Sequence, residues 1–228
     1  MLGCSNTVGL QYEPTRDGTL STSPPLVIVR AFEDRRSKGA SELGVVRGGY
    51  GNILKRIYTE RPVAEQVADA FRAALSSRGL LAEPGVAAIA LEGTITKLDC
   101  NHYFQREAHT ALDLVLVDLD TDERIFERSY AADETGATGA VGIFASTSRL
   151  AAMAERTLQK VINKALADPE FLAIATTRPP GAEPALAPIL PDGRSAEERL
   201  RALERLLEQG LITEDEYRKK RAEILKAL

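Results

Sequence analysis

The sequence has no tryptophan, and aromatic residues make up 5% of its 228 positions. Platforms on which nucleic-acid bases stack need such rings, so that mode of binding is not expected. Positive charge is not in surplus either: 29 Lys and Arg stand against 33 Asp and Glu, a formal net charge of −4. Nucleic-acid-binding surfaces carry a basic excess, so no nucleic-acid partner is expected. Two His and two Cys are little material for a metal centre or a nucleophile–base pair. The expectation is therefore no catalytic residue, no metal and no cofactor. No apolar run approaches the ~18 residues that a membrane-spanning helix needs. What is present is a folded chain's composition, 44% hydrophobic and 27% charged, with enough length for one mid-sized domain, or for a smaller domain plus an appendage.

The chain opens Met1-Leu2-Gly3-Cys4-Ser5. Residues 5–24 are polar, with scattered Gly, Pro, Ser and Thr and no lasting periodicity. Residues 1–24 are read as a start and an extended tether.

A body is expected over residues 25–174. Leu26 to Phe32 is rich in β-branched residues and predicts a buried strand. Residues 43–58 hold two apolar patches around Gly48-Gly49-Tyr50-Gly51-Asn52, a hairpin with a Gly-rich turn. Val63, Val67, Ala70, Phe71, Ala74 and Leu75 share one stripe of a helix over 62–78, opened by Pro62 and closed by Gly79. Strands are predicted over 86–98, 108–119 and 124–130. The second alternates Leu112, Leu114 and Leu116 with Asp113, Val115 and Val117. A further amphipathic helix over 148–167, capped by Thr147 or Ser148, carries Leu150, Met153, Leu158, Val161, Ile162, Ala165 and Leu166 and stops at Asp168-Pro169. Two one-sided helices need one shared surface. The expected class is α+β, an antiparallel sheet with both helices on one face.

Five of the eleven prolines fall within residues 175–194, which read as a linker. Residues 195–228 read as a separate two-helix hairpin. Its capping boxes are Ser195 to Glu198 and Thr213 to Glu216. Leu203, Leu206, Leu207, Leu211, Ile212, Tyr217, Ile224 and Leu225 form its apolar stripes. Two short helices bury such stripes poorly alone, so these residues are the expected contacts to a second copy or a protein partner. Arg218-Lys219-Lys220-Arg221 is read as a solvated face rather than a lipid contact.

Several local patterns invite a chemical reading. Asp118-x-Asp120-x-Asp122 has the opening spacing of a calcium loop, but Glu123 stands where Gly is needed and Ser129 where a bidentate Glu belongs; a turn is expected instead. Gly48-Gly49-Tyr50-Gly51 lacks the Gly-Lys-Ser/Thr of a phosphate loop. Cys100, His102 and His109 are too few for a convincing metal site, and burial is expected for Cys100. Asp34-Arg35-Arg36 reads as a local ion pair or solvated loop ahead of a recognition surface.

Three resemblances bear on function. Small residues ahead of Cys4 resemble a bacterial lipobox, which implies cleavage before Cys4, acylation of it, and a leader encoded upstream of Met1. Ser5, in the lipoproteins this resembles, is compatible with transfer to the outer membrane. Leu203 to Tyr217 followed by Lys220-Arg221-Ala222-Glu223-Ile224-Leu225 resembles the SHOCT module, which implies oligomerisation or protein interaction and no catalysis. Phe32-Glu33-Asp34-Arg35-Arg36, Leu43-Gly44 and Leu75-Ser76-Ser77-Arg78-Gly79, in that order after Cys4, resemble the YajG family of bacterial lipoproteins, and more distantly the auxiliary lipoproteins of envelope transport systems. The leading expectation is a non-catalytic scaffold or adaptor, anchored by acyl chains on Cys4 to the outer membrane and facing the periplasm. One alternative is a subunit that binds lipid or another apolar ligand, which predicts an open cleft between sheet and helices. The other is a soluble cytosolic interaction protein with its true start at Met1.

Overall fold

The computed structural model of the chain describes residues 4–10, 12–13, 26–83, 85–136, 146–177, 203 and 216–221. The chain divides into two compact units, Met1–Ala185 and Leu186–Leu228.

The first unit is built on one seven-stranded sheet. Its strands are β1 (Cys4–Val8), β2 (Val27–Asp34), β3 (Glu42–Arg47), β4 (Ile53–Thr59), β5 (Ile89–His102), β6 (Arg106–Asp118) and β7 (Arg124–Gly136). The order across the sheet is β1-β4-β3-β5-β6-β7, with β2 also paired to β5. β6 runs the whole length of one edge of β5. β2 and β3 divide the other edge, β2 along residues 89–95 and β3 along 100–102.

The sheet is mixed, which corrects the antiparallel expectation. β3–β4, β5–β6 and β6–β7 are antiparallel, while β1–β4, β2–β5 and β3–β5 are parallel. The meander and hairpin were readable because each closes through a short turn. The parallel pairs need long crossovers, and α1 (Val63–Ser77) lies in the crossover that returns the chain to β5. A second correction concerns the N-terminus. Cys4–Val8, expected in a tether, forms β1 on the outer edge of β4. Its pairing uses main-chain groups, so it left no apolar periodicity to read. Val8, Leu10 and Tyr12 pack in part against the core, and Gln66 Oε1 accepts from the Leu10 amide at 2.9 Å.

The core follows the alternation of β5 and β6. Leu91, Ile95, Leu98, Cys100, Leu112, Leu114 and Leu116 are fully buried, and an irregularity between Ile95 and Lys97 resets the phase of β5. α1 presents the anticipated stripe, and Phe71 stacks on Phe32 of β2 with ring centroids 5.2 Å apart. Phe32 lies across Gly93, where a Cβ would sit 2.0 Å from its ring. Gly79 adopts φ 69° and closes α1, its neighbour Leu80 donating to the Leu75 carbonyl at 2.9 Å.

α2 (Thr147–Leu166) buries Leu150, Met153, Leu158, Val161, Ile162, Ala165 and Leu166. Its cap is Ser146, one residue before those expected, with Oγ accepting from the Arg149 amide at 3.3 Å. The buried hydroxyls of Thr157 and Thr110 meet at 2.8 Å and join α2 to β6. Asp168-Pro169 ends α2 by starting a helix that the sequence reading missed, α3 (Pro169–Thr176). Asp168 caps it, accepting from the Glu170 amide at 3.0 Å. Phe171 then packs edge-on to Phe126 at 5.7 Å. No helix among the described residues is long and apolar enough to cross a membrane.

In the second unit, Leu203 is helical and buried, and residues 216–221 are helical with Tyr217 half-buried. Arg218, Lys219 and Arg221 are exposed. Leu206, Leu207, Leu211, Ile212, Ile224 and Leu225 lie outside the described residues.

Candidate functional site

The one predicted modification site, Cys4, lies at a definable end of the sheet. Cys4 pairs with Lys55, Lys55 with Val46, Val46 with His102, His102 with Arg106 and Arg106 with Gly136. These six residues form one rung across six strands. Adjacent strands lie about 4.8 Å apart, so three spacings put the Cys4 Cα roughly 14 Å from that of His102.

Two described loops lie past this rung. The first, residues 48–52, joins β3 to β4. Gly48 donates to the Asn52 carbonyl at 2.8 Å and Gly51 to the Gly48 carbonyl at 2.9 Å. Gly51 takes φ 80°, a conformation that favours glycine. The second, residues 103–105, joins β5 to β6. The rings of Tyr103 and Phe104 meet tilted at 49° with centroids 4.0 Å apart, and the Tyr103 hydroxyl reaches the Gly49 carbonyl at 3.4 Å. Tyr50 is fully exposed, Phe104 is 65% exposed, and Ile53 and Tyr103 are each just over a third exposed. These four are the large exposed hydrophobic residues among those described. The sequence reading took residues 48–52 for a turn and did not single out Tyr103-Phe104. The available signal was an aromatic pair at a hairpin tip, where small polar residues are usual.

The rung is basic. Arg47, Lys55, Arg56 and Arg106 lie on it or within two positions, against Glu107 and Glu134 among the described residues. Arg47 also braces the first loop, donating to the Gly51 carbonyl at 2.9 Å.

The interior beneath the rung is unreactive in character. Burial pushes the Cys100 thiol up to about 12, with Lys38 and Asp99 making smaller opposed contributions. A thiol at that value is almost wholly protonated at neutral pH. His102 is buried, and neither of its ring nitrogens has a hydrogen-bond partner among the described residues. Burial, and then the nearby Arg106 charge, hold its basicity below the usual imidazole range, so the ring is neutral. His109 is not with them. It pairs with Asp133 across β6–β7 at 2.5 Å. The candidate ligands Cys100, His102 and His109 are thus not brought together, and no group of three or more metal-ligating side chains occurs among the described residues. Asp118 Oδ1 accepts from the Asp120 and Thr121 amides at 2.8 and 3.3 Å, a side-chain turn rather than a calcium loop.

Arg36 forms the local ion pair that was expected, but it is internal. Its side chain is 3% exposed. Nε and Nη2 donate to the two carboxylate oxygens of Asp34 at 2.8 and 2.7 Å. Nη1 donates to the Glu42 and Leu98 carbonyls, each at 2.9 Å. This guanidinium occupies the break where β2 ends and β3 begins along β5.

The fold has solved counterparts. A protein from Xanthomonas campestris, XCC0632, described with the family model DUF330, shares the architecture. It has a TM-score of 0.53 at 13% identity, over 72% of this chain and 92% of that one. At that identity the likeness establishes the fold alone. Lipoprotein GNA1162 from Neisseria meningitidis matches with 13% identity and a TM-score of 0.29, over 64% of this chain and 100% of that one. The PelC dodecamer from Paraburkholderia phytofirmans matches with 12% identity and a TM-score of 0.39, over 64% and 92%. No family model matches the sequence, and no curated protein matches it significantly.

Proposed function

We propose that the chain is a non-catalytic lipoprotein of the bacterial envelope, acylated on Cys4 and held at the periplasmic face of the outer membrane. Its body serves as an adaptor of YajG-like type. Residues 195–228, with their SHOCT-like pattern, mediate oligomerisation or partner binding. The observation that carries this reading is the position of Cys4, the first residue of an edge strand at the rim of the sheet. Acyl chains there would connect to a strand paired with β4 rather than to an unpaired tether. Each buried CH₂ contributes about 0.8 kcal/mol, so two or three chains form a lasting anchor where one does not.

The adaptor is favoured over the carrier of an apolar ligand by how the described core is filled. Phe71, Phe171, Leu91, Ile95, Leu112 and Leu116 are fully buried and belong to one continuous cluster that also takes in α1 and α2. A carrier would leave such side chains lining open space.

The test is expression from the full upstream reading frame in a native host. Mass analysis is expected to find diacylglycerol on the Cys4 sulfur, and Cys4→Ser is expected to move the protein from the detergent phase to the aqueous phase. An unmodified Cys4, or equal partitioning of the two forms, overturns the anchor. Deleting residues 195–228 is expected to lower the solution mass by more than the deleted segment. A loss equal to the segment alone removes the assembly role.

A further inference from the structure

We propose that the aromatic tip formed by Tyr50, Ile53, Tyr103 and Phe104 is a second, non-covalent membrane contact that seats the sheet end-on against the bilayer beside Cys4. The proposal rests on the lipoprotein reading for its biological setting. Its physical basis is independent of acylation.

The first observation is position. Chain registers alone put Cys4, Val46 and His102 on the same rung, and both loops project past that rung. Acyl chains on Cys4 would bring this end of the molecule to the lipid surface, where Tyr50 and Phe104 are the most exposed large apolar residues among those described. The second is exposure. Tyr50 and Phe104 are not part of the described core, and most of each ring is displayed in water. The third is chemistry. Tyrosine with a polar hydroxyl at the end of an apolar ring suits the headgroup boundary, and phenylalanine and isoleucine suit the acyl boundary just below it. The fourth is charge. Arg47, Lys55 and Arg106 lie on the rung or next to it, with Glu107 and Glu134 the nearby acids among the described residues, on a chain whose net charge is −4, while Arg56 is turned to Glu42 at 3.1 Å. Cations with long stems at such a rim match anionic headgroups. The loops are also braced for this role. The Tyr103 hydroxyl contacts the Gly49 carbonyl, and Arg47 holds the Gly51 carbonyl, so the two loops arrive as one surface with little further ordering to pay for.

The absence of tryptophan makes the test clean, since Tyr50→Trp is a single fluorescent reporter at the tip. The full chain is studied in two forms, acylated and Cys4→Ser, with vesicles of phosphatidylethanolamine and phosphatidylglycerol. In both forms the emission of the introduced indole is expected to shift to the blue and to be quenched by lipids brominated near the headgroup. In the Cys4→Ser form, Tyr50→Ser with Phe104→Ser is expected to reduce the vesicle-bound fraction about tenfold, the loss of two interfacial rings. Both positions are exposed, so the double variant should melt where its parent does. A reporter left unquenched in acylated protein on vesicles overturns the proposal. So does a blue shift that follows protein concentration without vesicles, which would assign the tip to contact between copies. If Cys4 proves unacylated, the lipoprotein reading fails while the Cys4→Ser arm still decides the tip.

Discussion

Replacing Arg36 by alanine should be among the most damaging single changes in the body. The side chain is 3% exposed and makes a two-point contact with Asp34 together with bonds to the Glu42 and Leu98 carbonyls. Removing it leaves a largely buried carboxylate without its partner and takes a donor from three main-chain carbonyls, those of Ala40, Glu42 and Leu98. Breaking a buried ion pair from one side typically costs 3–5 kcal/mol, and water entering the vacated space recovers part of the carbonyl loss, so about 4 kcal/mol is expected. For a domain of this size that lowers Tm by roughly 8–16 °C. Urea denaturation followed by circular dichroism should show a lower midpoint with an unchanged slope. Arg35→Ala is the control, because its pair with Glu33 is solvent-exposed, and it should leave the midpoint in place. The pH dependence gives an independent check. Burial raises the Asp34 carboxyl, but the side-chain and main-chain hydrogen bonds from Arg36 outweigh it and hold the group below its usual value. A carboxyl lowered on folding contributes stability that is complete above its unfolded pKa, near 3.8, and is lost as pH falls through the folded value. The Arg36→Ala protein should therefore lose less stability than its parent on acidification below about pH 4. A cost of 1 kcal/mol or less, or an unchanged acid profile, would refute the assignment of Arg36 as the brace between β2 and β3.

Three further outcomes follow from the geometry. Gly93→Ala should destabilise by roughly 2–4 kcal/mol, since the new Cβ would sit 2.0 Å from the Phe32 ring; combining it with Phe32→Leu should recover part of that in the same melt. Cys100, fully buried and raised to about 12, should react with a thiol reagent only at the rate of global unfolding, and labelling within seconds in native buffer would contradict its placement. Asp168→Asn should cost about 1–2 kcal/mol through weakened bonds from Tyr130 and Arg128, since asparagine caps a helix as well as aspartate does, and should flatten the acid limb between about pH 4 and pH 2. The Tyr130 hydroxyl bond first, with Arg128 and two amides, holds this carboxyl at about 2 against a residual cost of burial, so its contribution is complete above pH 3.8 and disappears as pH falls through the folded value.

What was legible in the sequence had a periodic signal. The stripes of α1 and α2 and the alternation of Leu112, Leu114 and Leu116 recorded burial on one face, and burial imposes the period. The turn residues Gly48 to Asn52 and Asp118 to Asp122 recorded backbone conformations that few residues tolerate. Elements held by main-chain pairing or by a single cap left no such record. β1 is polar and irregular because the edge of β4 needs only its amides and carbonyls. α3 is eight residues long, too short for a stripe, and Asp168-Pro169 signals a helix stop and a helix start with the same two residues. The parallel registers depend on crossovers whose ends are far apart in sequence, and no local pattern encodes them.

The end of the sheet proposed to meet lipid illustrates the same limit more sharply. Cys4, Tyr50 and Phe104 are separated by long stretches of chain, and each alone has an ordinary explanation: a chance cysteine, a turn residue, a surface aromatic. Their common meaning comes from the parallel placement of β1 on β4 and of β3 on β5, the two features that the sequence concealed. An antiparallel β1 would have carried Cys4 to the opposite rim, beside Thr59, and would have separated the proposed acyl site from the aromatic loops by the length of β4, about 20 Å at 3.3 Å per residue. The parallel register is therefore what makes the proposed bilayer-facing end possible, and the proposed acyl anchor there would both tether the body and fix which rim of the sheet meets the lipid.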